Sequence, residues 1–140
     1  MKRQLAVLGG GAWGQALAHV ARQAGHDVAV WSRSSPDIGF LGRFDAFILA
    51  VPAQAVRDVL TALQLPPVPP LIISAKGIER TTGLFMNEVV AELKPHNPAY
   101  VLSGPSFAVD VLKGLPTAVT LAASTLAEAG EWAQALSLPH

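Results

Sequence analysis

The first residues whose spacing suggests chemistry are Gly9, Gly11 and Gly14, in the pattern G-x-G-x-x-G. They follow the apolar run Leu5-Ala6-Val7-Leu8 and precede Gln15-Ala16-Leu17-Ala18-His19-Val20-Ala21, which has helical periodicity. A strand, a glycine turn and a helix opening from that turn form the first βα unit of a dinucleotide-binding sheet. In such a unit Gly9 makes the tight turn and Gly11 lets the backbone approach a pyrophosphate. Gly14 lets helix and strand pack without an intervening side chain. The free N–H groups and the positive dipole end at Ala12-Trp13 supply an anion site.

Further chemistry is expected where other strands end. An acidic residue about 20 positions beyond the glycines commonly accepts the ribose hydroxyls of NAD. Here the end of the second strand reads Trp31-Ser32-Arg33, and Asp27 lies at that strand's opposite end. Arg33 could form a forked contact with the extra phosphate of NADP, Ser32 adding a hydrogen bond. The alternative for Arg33 is a solvated loop residue. Lys76, the lysine at a strand's carboxyl end, could anchor a small anion or polarise a carbonyl, although taken alone it reads as solvated surface. Ser106 reads first as a helix N-cap. His19, His26, His96 and His140 show neither metal-ligand spacing nor a relay arrangement, so no metal site and no catalytic residue is assigned from them.

The elements that must position these residues alternate along the chain. Asp27-Val28-Ala29-Val30-Trp31 reads as the second strand, after a helix ending near Gln23 with Gly25 as its C-terminal glycine. Ala46 to Val51 is a buried strand closed by Pro52, and Gln54 to Leu63 has helical spacing. Leu71 to Ser74 and Tyr100 to Ser103 are further strands, separated by a helix through Met86, Val89, Val90 and Leu93. A short helix follows Ser106 to about Lys113, then a strand from Thr117 to Ala122 and a last helix from Leu126 to Leu136. This alternation predicts an α/β fold with a doubly wound, mostly parallel sheet. Ser32 to Asp45 lacks helical periodicity. It predicts a loop crossing in which Phe40, Leu41 and Phe44 partly cover a sheet face, any uncovered remainder inviting self-association, for instance as a homodimer.

Composition narrows the function classes. The chain of 140 residues fits one domain; half of it is apolar (51%) and 14% is charged, as in a parallel sheet buried on both faces. Formal net charge is zero and no basic block exists, which argues against nucleic acid as a partner. With no cysteine, thiolate sites and disulfides are excluded, compatibly with a cytoplasmic protein. The start of the chain superficially resembles a secretory signal, but its glycines argue against that, and no run is long enough for membrane insertion.

Taken together, the motifs resemble NAD(P)-dependent glycerol-3-phosphate dehydrogenase. The matching segments are Gly9-Gly10-Gly11-Ala12-Trp13-Gly14, Ala50-Val51-Pro52, Lys76-Gly77-Ile78-Glu79, Gly104-Pro105-Ser106-Phe107-Ala108 and Gly114-Leu115-Pro116-Thr117-Ala118. The resemblance covers that family's cofactor domain and implies a Rossmann-like fold. It implies NADP, or NAD, as cofactor and reversible reduction of dihydroxyacetone phosphate, a small phosphate substrate, to sn-glycerol 3-phosphate for phospholipid synthesis. By position, Ala12, Trp13, Arg33 and Ala108 would touch the cofactor, Lys76 both cofactor and substrate, and Gly104 and Ser106 the substrate. The proton-transferring lysine is expected in a C-terminal helical domain that has no counterpart here. The family's longer insertion between strands two and three is also missing. Two rivals stand beside this reading: the cofactor domain of a keto-acid reductase, and a catalytically silent nucleotide-sensing module.

Overall fold

A computed structural model describes residues 2–34, 43–104, 108–114 and 119–137. Its elements are β1 (Gln4–Leu8), α1 (Ala12–Gln23), β2 (Asp27–Trp31), β3 (Ala46–Leu49), a 3-10 turn (Ala53–Ala55) leading into α2 (Val56–Ala62), β4 (Leu71–Ile73), α3 (Met86–Leu93), β5 (Ala99–Ser103), α4 (Ala108–Leu112), β6 (Thr120–Ala122) and α5 (Leu126–Ala135). The strands form one six-stranded sheet in the order β2-β1-β3-β4-β5-β6. All neighbours are parallel except β6, which runs antiparallel to β5 at the edge. The mostly parallel, doubly wound sheet expected from the alternation is therefore the sheet observed.

The continuous apolar runs follow from burial on both faces. Leu5, Ala6, Val7 and Leu8 of the central β1 are all fully buried. Their side chains alternate: Leu5 and Val7 pack with Ala18 and Ala21 of α1 and Trp132 of α5, while Ala6 and Leu8 pack with Val56, Val59 and Leu60 of α2 and Val89 and Val90 of α3. Phe44, just before β3, is buried in the second cluster, its ring edge-on to Phe47 at 6.0 Å. Phe40 and Leu41, expected to cover the same face, lie outside the described residues. Gly25 ends α1 with φ +99°, as its sequence position suggested.

Several boundaries differ from expectation, among them β3, which ends at Leu49 rather than Val51. The helix predicted from Gln54 begins as a 3-10 turn, because Pro52 holds the entry extended (ψ 146°) and the chain must tighten before α2 can start. β6 is described only from Thr120; Thr117 and Ala118 lie outside the described residues, as do Pro105, Ser106 and Phe107. Among the described residues no helix is long and apolar enough to cross a membrane.

Candidate nucleotide site at the carboxyl ends of the strands

From β1 the chain goes to β2 on one side and, by way of the crossing segment, to β3 on the other. The carboxyl ends of β1 and β3 are thus the topological switch point, where open α/β sheets leave a crevice. A cavity of about 330 Å³ lies there, lined by Gly9, Gly10, Gly11, Trp31, Ser32, Arg33, Ala50, Val51, Pro52, Ala55 and Val59.

The glycines account for its shape. Gly9 has φ +132°, and a Cβ there would stand 2.5 Å from the Ala50 carbonyl oxygen, so the turn presses directly on the end of β3. A Cβ on Gly10 would meet Ser32 Cβ at 2.9 Å. A Cβ on Gly14 would collide with the Gly9 carbonyl, so α1 can approach β1 this closely only with glycine at that position. A Cβ on Gly11, by contrast, would meet nothing within 4 Å. Gly11 is the N-cap of α1 and supplies no side-chain cap; its carbonyl accepts the Gln15 N–H at 2.9 Å, and the N–H groups of the first turn have no partner inside the helix. Open space beside Gly11 and first-turn donors that the helix itself does not use fit a pyrophosphate.

Ser32 and exposed Arg33 follow β2 and border this cavity, with Ser32 Oγ 3.2 Å from Ser34 Oγ. Asp27 lies at the other end of β2. There Gln4 first, then Lys2, hold its carboxylate below the ordinary range. Ala12, Trp13 and Gly14 form the first turn of α1, and Ala108 opens α4, which packs against α1.

Lys76 belongs to a second cavity, of about 320 Å³, at the ends of β4 and β5, lined also by Gly77, Phe85, Met86, Asn87 and Ser103. Its Nζ donates to the Gly104 carbonyl at 2.6 Å, joining two of the residues singled out as substrate-binding. The structure thus divides the expected site between two neighbouring strand-end cavities rather than one, and Ser106 lies outside the described residues.

The loop carrying Lys76 is held by residues that sequence reasoning did not single out. Glu79, 5% exposed, receives Arg57 Nε at 2.9 Å and Nη2 at 3.0 Å, and the Thr82 hydroxyl at 2.5 Å. Arg57 chiefly, then Thr82, keep the Glu79 carboxyl below its ordinary range against the opposing effect of burial. Glu79, followed by Glu92 at 2.6 Å, raises Arg57 in turn. The only sequence signal for this clamp was Glu79 within Lys76-Gly77-Ile78-Glu79.

His26 is buried and structural. Its Nδ1 accepts the Arg3 N–H at 3.0 Å and its Nε2 donates to the Ala135 carbonyl at 2.6 Å, tying α5 to the edge of β1. Arg3 adds to this tie by lying 4.3 Å over the Trp132 ring. Among the described residues no group of three or more His, Asp or Glu could hold a metal ion.

Comparison with known proteins agrees with this architecture. The family described as NAD-dependent glycerol-3-phosphate dehydrogenase N-terminus matches residues 4–41 and 40–129. A glycerol-3-phosphate dehydrogenase (NAD(P)+) of Beijerinckia indica subsp. indica is 42% identical over 168 residues, aligning 98% of this chain with 50% of that protein. One from Rhodopseudomonas palustris strain TIE-1 is 44% identical over 162 residues, 95% of this chain and 49% of that protein. The crystal structure of glycerol-3-phosphate dehydrogenase from Coxiella burnetii superposes with a TM-score of 0.89 at 27% identity, covering 99% of this chain and 52% of that one. The chain spans about half the length of the curated relatives it matches. Matched along nearly its whole length in sequence and in backbone, it belongs to the family of NAD-dependent glycerol-3-phosphate dehydrogenase N-terminal domains.

Proposed function

We propose that residues 1–140 form the nucleotide-binding half of a cytoplasmic enzyme that interconverts dihydroxyacetone phosphate and sn-glycerol 3-phosphate, a precursor of glycerophospholipids, using NADP(H) in preference to NAD(H). The observation that carries this reading is the switch-point cavity, with open space at Gly11 on one side and Ser32-Arg33 on the other. Gly9, Gly11, Ala12, Trp13 and Gly14 would hold the pyrophosphate at the start of α1. Arg33, with Ser32, would face the adenosine phosphate in a forked, charge-assisted contact that a carboxylate could not make. Ala108 would contact the cofactor from α4.

Bound nicotinamide supplies the hydride. The Lys76 ammonium would lie against both cofactor and substrate, and Gly104 and Ser106 would hold substrate oxygens. In this reading a further, helical domain would provide the proton-transferring lysine and shut out water. Titration of NADPH and NADH by fluorescence, with wild type and Arg33→Asp, tests the selectivity. NADPH should bind at least about tenfold more tightly to the wild type, and the substitution should abolish the difference. Equal affinities in the wild type would refute the assignment of Arg33.

A further inference from the structure

The loop bearing Lys76 is gripped from one side by the turn that follows β3. Gly77, at φ +133°, lies over Ala53, whose Cβ would be 3.4 Å from a Cβ placed on the glycine. One residue on in the turn, the Gln54 carboxamide uses both of its functions on the loop: Nε2 donates to the Ile78 carbonyl at 2.9 Å, and Oε1 accepts the Arg80 N–H at 3.0 Å. These backbone groups flank Glu79, whose side chain is held by Arg57, one helical turn beyond Gln54. Donor and acceptor both being required, the orientation of the amide is fixed. Val51, Pro52 and Ala55, on either side of Gln54, line the nucleotide cavity.

We propose that Gln54 is a positioning residue for Lys76: it locks the Lys76 loop to the wall of the nucleotide cavity, so that the ammonium is set in place by the element against which the dinucleotide lies. The grip pins the backbone at Ile78, just beyond Gly77, and the Lys76 Nζ is directed to Gly104. An exposed glutamine serving only the solvated surface would have no need to satisfy both of these backbone groups. The consequence for cofactor binding rests on the role proposed above for Lys76, whereas the positioning itself does not.

Two measurements separate these levels. Acetylation of lysine amines, followed by mass spectrometry, reports on Lys76 directly, with Lys94, whose Nζ donates to the distant Leu63 carbonyl, as internal standard. In Gln54→Ala, Lys76 should react about threefold to tenfold faster while Lys94 is unchanged, as expected for losing two hydrogen bonds that hold its loop. Gln54→Glu, which keeps the acceptor for Arg80 and loses the donor to Ile78, should fall between the two and serves if the alanine variant folds poorly. NADPH affinity then forms a double-mutant cycle: Gln54→Ala should weaken binding about threefold to tenfold in the wild type and have no further effect on top of Lys76→Ala. An unchanged Lys76 labelling rate in both Gln54 variants, or additive losses of affinity, would overturn the proposal. If labelling rises but Lys76→Ala binds NADPH like the wild type, the cofactor role of Lys76 falls and its positioning by Gln54 stands.

Discussion

A methyl group added at Gly14 would run into the carbonyl of Gly9, whereas one added at Gly11 would meet nothing within 4 Å. The same substitution should therefore have opposite effects at the two positions. Gly14→Ala should cost about 1–3 kcal/mol of stability, because α1 must be pushed off β1. Gly11→Ala should change stability by less than about 1 kcal/mol, the cost of a poorer N-cap, while weakening NADPH binding at least about tenfold by placing a methyl where the pyrophosphate would lie. Urea unfolding and NADPH titration of both variants check this; a stable, tightly binding Gly11→Ala would mean that the dinucleotide lies elsewhere. Val68, at the tip of the proline-rich connector, adopts φ +92° while 76% exposed. A β-branched residue is strained in that region, and Val68→Gly gives up almost no burial. Relief of about 1–3 kcal/mol of strain outweighs the roughly 0.5–1 kcal/mol entropic cost of glycine, so the variant should unfold at a higher urea concentration. The role of Gly14 was legible in the sequence because it depends on nearby Gly9, whereas the close approach of Gly9 to the Ala50 carbonyl, made across the sheet, was not. The strain at Val68 was not, because Asn97 enforces the connector's path from a distance through hydrogen bonds to the Pro66 and Pro69 carbonyls.

At the scale of elements, strands and helices could be read from apolar runs and helical spacing, since burial on both faces imposes the first and burial on one face the second. What could not be read is how neighbouring elements are tied together: Arg57 and Glu79 are 22 residues apart, His26 and Ala135 are 109 apart, and neither pair leaves a local pattern. The antiparallel β6 is likewise invisible to periodicity. The Arg57–Glu79 tie between α2 and the Lys76 loop has a pH signature. Because the folded Glu79 carboxyl lies below its ordinary value of 4.5, its contribution to stability is fully present above that value and is lost as pH falls through the depressed one. Glu79→Gln should therefore be less stable than wild type near neutral pH, and the gap should close as pH falls below 4.5 and through the depressed value. Urea midpoints for both proteins across that range measure it; a gap that does not narrow would show that the carboxylate charge is not what holds the loop.

For the molecule as a whole, the sheet brings Arg33, Gly11 and Lys76 to one end, yet Lys76 and the cavity beside it face solvent. Reduction of a ketone by a nicotinamide requires a bound cofactor, a positioned substrate and a proton for the developing alkoxide. On the function proposed above, the described residues would cradle the first at the switch-point cavity and, with Lys76 and Gly104, hold the second only in part. A charge contact made in open water is strongly screened, and the loss of positioning and of water exclusion can each cost several powers of ten in rate. The chain of residues 1–140 should therefore bind NADPH but oxidise it with dihydroxyacetone phosphate at a rate barely above background. Fusion to the second half of a relative such as the Beijerinckia indica enzyme should restore turnover, and Lys76→Ala should then lower it at least about a hundredfold. NADPH absorbance, followed with the purified chain alone and with the fusion, decides between the two sources of the proton. Rapid turnover by residues 1–140 would place the proton donor on this half of the enzyme, while a fusion insensitive to Lys76→Ala would remove that lysine from the reacting centre.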